Sequence, residues 1–371
     1  MSLTDDEILE LEQLLEEKEV DELKEGLTVF NDKTSPNYKI LYDSINGQKW
    51  GFDKEGKPKL LSGYTGAVLE GSSRSTKTWG SIFIIIYLAT IKHEKDGCTI
   101  NVYRETYNEF KTTLYDDFKR ILNLFGLDNP FERAKEISSF KILNTKVNLL
   151  GDGKFGGGCD YAFFNEVMFI REEVFKQVKM RCRVFWWMDF NPCFTDHWVF
   201  NTVIPREDVN YLKTTFRENK FISPNELNEI LAYEPWLPGS YEVTEDDVLY
   251  NGESISEKNQ PPPHPKNVKQ GTASVFDWKV YGLGLRGAMK GVIINQLTWI
   301  EEFPDVAYTY ANDFGFTADP NATVRYAEDE QNIWFELLIY EPVETPDALD
   351  EKLLDNGVEK HLPLACDSSD K

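Results

Sequence analysis

The chain has 371 residues, a formal net charge of −23, 41% hydrophobic and 13% aromatic side chains. That is enough apolar material for more than one core, so two domains are expected and a disordered chain is excluded. The negative charge excludes a protein that coats nucleic acid with its whole surface, because phosphate contacts need Lys and Arg to displace counterions; any DNA handling must come from local patches.

Residues 4–26 are acidic and carry Ile8, Leu9, Leu11, Leu14, Leu15, Leu23 and Leu27 close to a helical period, with Thr4 as N-cap. An amphipathic helix is expected there, either packed on its own domain or docking a partner. The N-terminus has no basic, apolar leader pattern, and the longest apolar run, Ile82 to Ala89, is far shorter than the roughly 20 residues of a membrane span. A protein that neither crosses a membrane nor is secreted by that route is expected. Five cysteines without a CxxC pair, and four histidines that do not cluster near them, point to a reduced protein without structural zinc.

From about Gly66 to Glu218 short apolar runs alternate with helical patterns: Gly66–Leu69, Thr99–Tyr103, Lys146–Leu150, Tyr161–Phe164, Val184–Met188 and Tyr211–Phe216. Such alternation predicts a mostly parallel sheet with helices on its faces, an α/β fold. The polar stretch 251–272, with Pro261-Pro262-Pro263-His264-Pro265, predicts an extended connection. Beyond it, Ala307–Phe316 and Thr323–Glu328 flank the turn Asp319-Pro320-Asn321, Asn332–Tyr340 follows as a third strand, a helix starts at Thr345-Pro346-Asp347 and stops at Gly357, and His361–Cys366 is a fourth strand. Three meandering strands, a helix and a fourth strand open a ribonuclease-H-like sheet. The expected division is 1–59 as acidic helix and lead-in, 60–245 as one α/β domain, 246–300 as a Pro-rich linker and connecting segment, and 301–371 as a second, incomplete domain.

Between the first strand and its helix lies Gly71-Ser72-Ser73-Arg74-Ser75-Thr76-Lys77-Thr78, placed as a phosphate-binding P-loop must be. The chemistry needs small residues whose main-chain N–H groups curl around phosphates, a lysine for the β/γ-phosphates and a hydroxyl for magnesium, so ATP with Mg2+ is the expected cofactor. Lys77 and Thr78 fill the last two roles. The standard pattern has glycine where this chain has Thr76, and a Ser/Thr-rich turn is the plain alternative. Arg74 is close enough along the chain to neutralise charge building on the γ-phosphate; a surface arginine is the other reading. The strand Tyr161–Phe164 ends in Asn165-Glu166, which delivers a carboxylate to the C-terminal edge of a parallel sheet, and Glu166 is the candidate to activate the attacking water. Asn165 stands where aspartate is commoner; its amide can still hold a magnesium-bound water. Asn191, on the Asn-Pro turn closing Val184–Pro192, is the candidate γ-phosphate sensor, with an ordinary turn as the alternative.

Taken in order, Gly71–Thr78, Val102–Thr106 with Leu114–Phe118, Asp160–Glu166 and Asp189–Pro192 resemble the large terminase subunit of tailed bacteriophages, and Trp278–Gly284 with Asn312–Pro320 extend the likeness over most of residues 60–371. The Asn-Glu strand end and the hydroxyl residue before the lysine both occur in a branch of that family. The resemblance implies a P-loop motor of the ASCE type that drives viral double-stranded DNA through the portal into a procapsid, in the host cytoplasm. It also implies a nuclease domain that cuts the concatemer. Implied partners are DNA, the portal protein, a small terminase subunit and further copies of the chain in a ring, whose neighbour completes the ATPase site; Arg104 is a second candidate for the completing arginine.

In the ribonuclease-H-like sheet so implied, Asp313 at the end of the first strand and Asp367 at the end of the fourth are neighbours able to hold Mg2+ or Mn2+ for two-metal cleavage, which needs three or more acidic ligands. The chain stops shortly after Asp367, before the further carboxylate that the family pattern implies, so weak or absent cleavage is expected. A nucleotide-binding structural or remodelling ATPase without nuclease function, or a helicase-like ATPase, are the competing readings.

Overall fold

The computed structural model describes residues 35–134, 136–151, 157–256, 258–287, 300, 302–315, 320–329, 332–343 and 345–366. The helix expected over 4–26, Asp319 and Asp367 lie outside the described residues. The chain divides into two compact units, Met1–Val292 and Ile293–Lys371.

The first unit opens with the helix Pro36–Asn46, whose start is set by Ser35 as N-cap and proline in the first turn. A hairpin of β1 (Lys49–Phe52) and β2 (Pro58–Ser62) follows. The main sheet contains β3 (Gly66–Gly71), β4 (Thr99–Arg104), β5 (Ser139–Ile142), β6 (Thr145–Gly151), β7 (Cys159–Asn165), β8 (Cys182–Phe190) and β9 (Val209–Thr214), in the order β5-β6-β4-β7-β8-β3-β9. All neighbours run parallel except β5, which pairs antiparallel with β6 at the edge. The mostly parallel α/β architecture expected from the alternating runs is thus present.

The central strands β3, β7 and β8 read as nearly unbroken apolar runs because both faces are covered. Side chains alternate between two cores: Ala67, Leu69, Tyr161, Phe163, Phe185 and Trp187 point to one, Val68, Ala162, Phe164, Trp186 and Met188 to the other. The helix Lys77–Tyr87 covers the first face with Ile82 to Ile86, all but inaccessible, and the helix Glu172–Lys179 covers the second with Val174, Phe175 and Val178.

The Pro-rich segment departs from expectation. It does not stand clear as an extended linker: Pro263 bridges to Trp236, and the Pro262 carbonyl accepts from Leu237 N at 2.8 Å. Further on, Trp278, Leu283 and Leu285 share a third core with Phe216, Ile230, Trp236 and Val248. The short strands β10 (Glu242–Val243), β11 (Val248–Tyr250) and β12 (Glu253–Ser254) belong to the same region. Tryptophan and leucine bury enough apolar surface to draw a proline-rich stretch onto the body.

The second unit holds β13 (Thr309–Asp313), β14 (Asn321–Glu328), β15 (Ile333–Glu341) and β16 (Leu364–Cys366), in the order β15-β14-β13-β16. The first three form an antiparallel meander and β16 joins β13 in parallel, so the expected three meandering strands, helix and fourth strand are present. Between them the helix Pro346–Asp355 is capped by Thr345, whose hydroxyl accepts from Ala348 N, and is followed by Gly357 in the left-handed region. Among the described residues, no helix is long and apolar enough to cross a membrane.

Candidate functional site

Parallel pairing brings the carboxyl ends of β3, β8, β7 and β4 to one edge of the sheet, and each carries a residue of the site at its end or one before it: Gly71, Asp189, Asn165 and Arg104. Between β3 and the helix Lys77–Tyr87 runs the loop Ser72–Thr76. Its first half is tied to the frame: Ser72 N donates to Thr214 O and Ser73 N to Tyr281 O, each at 3.0 Å, and Asn191 Nδ2 donates to Gly71 O at 2.9 Å.

Lys77 curls back inside this loop. Its Nζ donates to Gly71 O at 3.0 Å, Ser72 O at 2.7 Å and Ser75 Oγ at 3.0 Å, and the residue is 7% exposed. Burial pushes its pKa down to about 8, against the pull of Asp189, Glu166 and Glu70. The ammonium is thus in place without being fully solvated, the state in which a phosphate oxygen is its best available partner.

Thr76, where glycine is standard, adopts φ 69°. A β-branched residue rarely enters that region. Its hydroxyl lies 3.0 Å from Ser35 Oγ and 3.3 Å from Asn37 Nδ2, so the first helix holds the strained turn from outside. Arg74 at φ 58° and Glu166 at φ 53° are left-handed too, so three of the five positive-φ non-glycine residues among the described residues belong to the predicted site. Such strain persists only where surrounding structure over-determines it and concentrates at functional positions.

Thr78 Oγ1 donates to Asp189 Oδ2 at 2.9 Å, while Asp189 Oδ1 accepts from Asn165 Nδ2 and Glu166 N, both at 2.9 Å. Asp189 is 1% exposed, and burial raises its pKa, opposed chiefly by the Glu166 amide and then by Lys77. Arg104, 5% exposed, places Nη2 at 2.8 Å from Glu166 Oε2 and Nη1 at 3.0 Å from Asn165 Oδ1 and 2.6 Å from Thr113 Oγ1. The Glu166 carboxyl is pushed up by its desolvated setting and pulled back by Arg104.

Lys77, Thr78, Asn165, Glu166 and Asn191 are therefore brought together with Gly71, Ser72 and Ser75. Arg74 is not: its side chain is 60% exposed and pairs with Glu226 at 3.5 Å, on the outer lip of the loop. Asp313 ends β13 and is exposed, and the register pairs Asn312 with Cys366, the residues just before Asp313 and Asp367. No group of three His, Cys, Asp or Glu side chains suited to a metal occurs among the described residues.

The sequence reading gave Asp189 no role. Its signal was a carboxylate closing an otherwise apolar strand, costly to bury unless its oxygens are used. Ser35 and Asn37, which hold Thr76, carry no comparable mark.

Residues 65–243 match the family model of the phage terminase large subunit. Among solved structures, the large terminase from the thermophilic bacteriophage D6E is similar at 17% identity, with a TM-score of 0.43 over 83% of this chain and 73% of that one. Its complex with ATP-gamma-S gives 18% and 0.42 over 82% and 72%. The HK97 bacteriophage large terminase gives 12% and 0.37 over 87% and 71%. The search of curated proteins finds no match. The matched segment contains every residue of the sheet-edge cluster, and over residues 65–243 this chain is similar to the phage terminase large subunits.

Proposed function

We propose that the first unit binds and hydrolyses ATP as the motor of a DNA-packaging machine. The observation that carries this reading is one cluster at the carboxyl edge of the sheet: a buried ammonium inside the loop Ser72–Thr76, the Thr78 hydroxyl, two carboxylates and a guanidinium.

The donor set suits the expected cation, since a hydroxyl and carboxylates are the hard oxygen ligands that Mg2+ takes. When bound, Mg2+ supplies neutralisation of charge on the phosphates. Thr78 is the residue that would hold it directly. Lys77 exchanges the Gly71 and Ser72 carbonyls for phosphate oxygens. The main-chain amides of Arg74 to Thr78 at the helix start orient the phosphates. Glu166 positions the attacking water and accepts its proton, and Arg104 fixes the direction of that carboxylate. Asn191, bonded to the base of the loop, links the state of the phosphates to the chain beyond β8. Arg74 can leave its exposed pair with Glu226 at small cost to reach the outer phosphate.

The second unit is proposed as the metal-dependent nuclease, supported by its strand order and by Asp313 at the end of β13. Asp313 with Asp367 would hold Mg2+ or Mn2+; the described residues do not complete the ligand set, so no cutting step is derived. Double-stranded viral DNA, the portal protein, a small terminase subunit and a ring of copies are the proposed partners, by similarity to the phage terminase large subunits.

Phosphate release from ATP tests the reading: it should disappear in Glu166→Ala and persist in Glu55→Ala, an exposed turn residue. ATP binding with no turnover in the unaltered protein, alone or with portal and DNA, would favour a nucleotide-binding structural component instead. For the second unit, Mn2+-dependent plasmid nicking lost in Asp313→Ala supports a nuclease; nicking unaffected by that change removes Asp313 from it.

A further inference from the structure

We propose that Asp189 is the carboxylate that steadies the magnesium ion of a nucleotide held in the loop, taking over the duty that an aspartate at position 165 performs in the commoner P-loop arrangement. The inference deepens the nucleotide-site reading and rests on it.

Register is the first observation. In the parallel pair β7/β8, Asn165 stands directly opposite Asp189, and on the other side of β8 Asp189 stands opposite Leu69 of β3. Asp189 therefore sits between the strand that presents Glu166 and the strand that feeds the loop, one strand nearer the phosphates than position 165.

Hydrogen-bond direction is the second. Arg104 has only donors, and its Nη1 lies 3.0 Å from the Asn165 side chain, so the amide oxygen of Asn165 must face Arg104 and its NH2 must face Asp189. The NH2 is also the group turned toward Thr78, at 3.4 Å. A donor there cannot accept from a magnesium-bound water. On this reading Asn165 serves as a clamp that orients Asp189, and the magnesium-bound water expected on its amide falls to Asp189 instead.

The carboxylate itself is the third. Asp189 Oδ1 is occupied by two N–H donors, Asn165 Nδ2 and Glu166 N, while Oδ2 points at the Thr78 hydroxyl, the group P-loop chemistry assigns to the cation. All three hydrogen-bond donors are neutral. An anion buried to 1% exposure among neutral donors, with the Lys77 ammonium already acting on it through space, lies in a setting that favours positive charge nearby. The carboxylate has moved one strand over, and the site keeps its acidic count.

The test uses the full chain and a fluorescent, non-hydrolysable ATP analogue, titrated with and without Mg2+, together with Mn2+ binding read by electron paramagnetic resonance. Asp189→Asn should weaken the Mg2+-dependent tightening, the ratio of affinities with and without Mg2+, by about tenfold or more, the loss typical of a group that orients metal ligands. The swap Asn165→Asp with Asp189→Asn, which returns the carboxylate to β7, should restore most of it. If Asp189→Asn does not fold, the swapped protein decides: metal-dependent tightening supports the proposal, and its absence in a folded swap overturns it. Full Mg2+-dependent tightening in folded Asp189→Asn also overturns it and leaves the nucleotide site standing. An unaltered protein that binds no analogue removes the nucleotide site and this inference together.

Discussion

Arg104 Nη2 and Glu166 Oε2 lie 2.8 Å apart, joining the end of β4 to the residue that follows β7. Without this pair the proposed base would be a partly buried carboxylate with a raised pKa and no fixed direction. The same guanidinium holds Asn165 and thereby the face of the cluster that meets Asp189. One side chain therefore governs both the strength and the aim of the acidic groups.

Arg104→Ala should shift the acid limb of the ATPase pH profile upward. Burial raises the Glu166 pKa and Arg104 lowers it, so removing Arg104 raises it further. A base acts only when ionised, so activity that falls as pH drops through this pKa will fall sooner in the variant. Removing the guanidinium from its partners should also cost about 1–3 kcal/mol of stability, read from denaturant melts. An unshifted profile would show that Arg104 does not act on Glu166.

Lys77 should give nucleotide binding an alkaline limb. Its folded pKa is lowered to about 8 by burial, from 10.5. Analogue affinity should decline as pH rises from about 7 toward about 10, whereas Lys77→Arg, charged throughout, should bind more weakly but without that slope. Stability of the nucleotide-free protein runs the other way. Between about 8 and 10.5 the unfolded chain holds the proton that the folded chain has lost, so the Lys77 contribution rises with pH and is lost as pH falls through about 8. Comparing melts of the unaltered protein and Lys77→Met across that window isolates it.

Thr76 combines a backbone cost with a hydroxyl that offsets it. Thr76→Gly removes the φ 69° strain along with the contacts to Ser35 and Asn37, so stability should change by less than about 1 kcal/mol. Thr76→Val keeps the strain and loses the contacts, so about 1–2 kcal/mol should be lost. Equal effects of the two changes would exclude this division.

Gly284 should matter to nucleotide binding although it lies far along the chain from the loop. It has φ 64°, and a Cβ there would come within 2.8 Å of Ser72 N and 3.2 Å of the Gly71 backbone. Neither is a flexible side chain that can swing aside. Gly284→Ala should therefore displace the loop and weaken analogue binding by about tenfold or more, with a change in melting smaller than that of a core truncation such as Trp278→Ala. Binding unchanged in Gly284→Ala would show that the loop does not depend on this brace.

Much of the first unit was legible because its signals are short-range. The apolar runs at Gly66–Leu69, Tyr161–Phe164 and Val184–Met188 are strands covered on both faces, and the helix Pro346–Asp355 sits between a threonine cap and a glycine stop. The hairpin β1–β2 and the edge strand β5 escaped, since short, half-exposed strands carry little apolar periodicity. The Pro-rich stretch misled because proline marks turns locally, while what anchors it, Trp236 and the core around Trp278, is decided by packing.

The site divides in the same way. Local order along the chain was enough to find the loop with Lys77 and Thr78, the carboxylate Glu166 and the turn residue Asn191, because a phosphate loop and a strand end are contiguous pieces of chemistry. Which arginine meets Glu166, and that Asp189 reaches across 111 positions to Thr78, were settled by the order of strands in the sheet. Strand order depends on long-range pairing and on how two cores close over the sheet. Periodicity sets the strands and their turns; only packing sets which strand ends face one another.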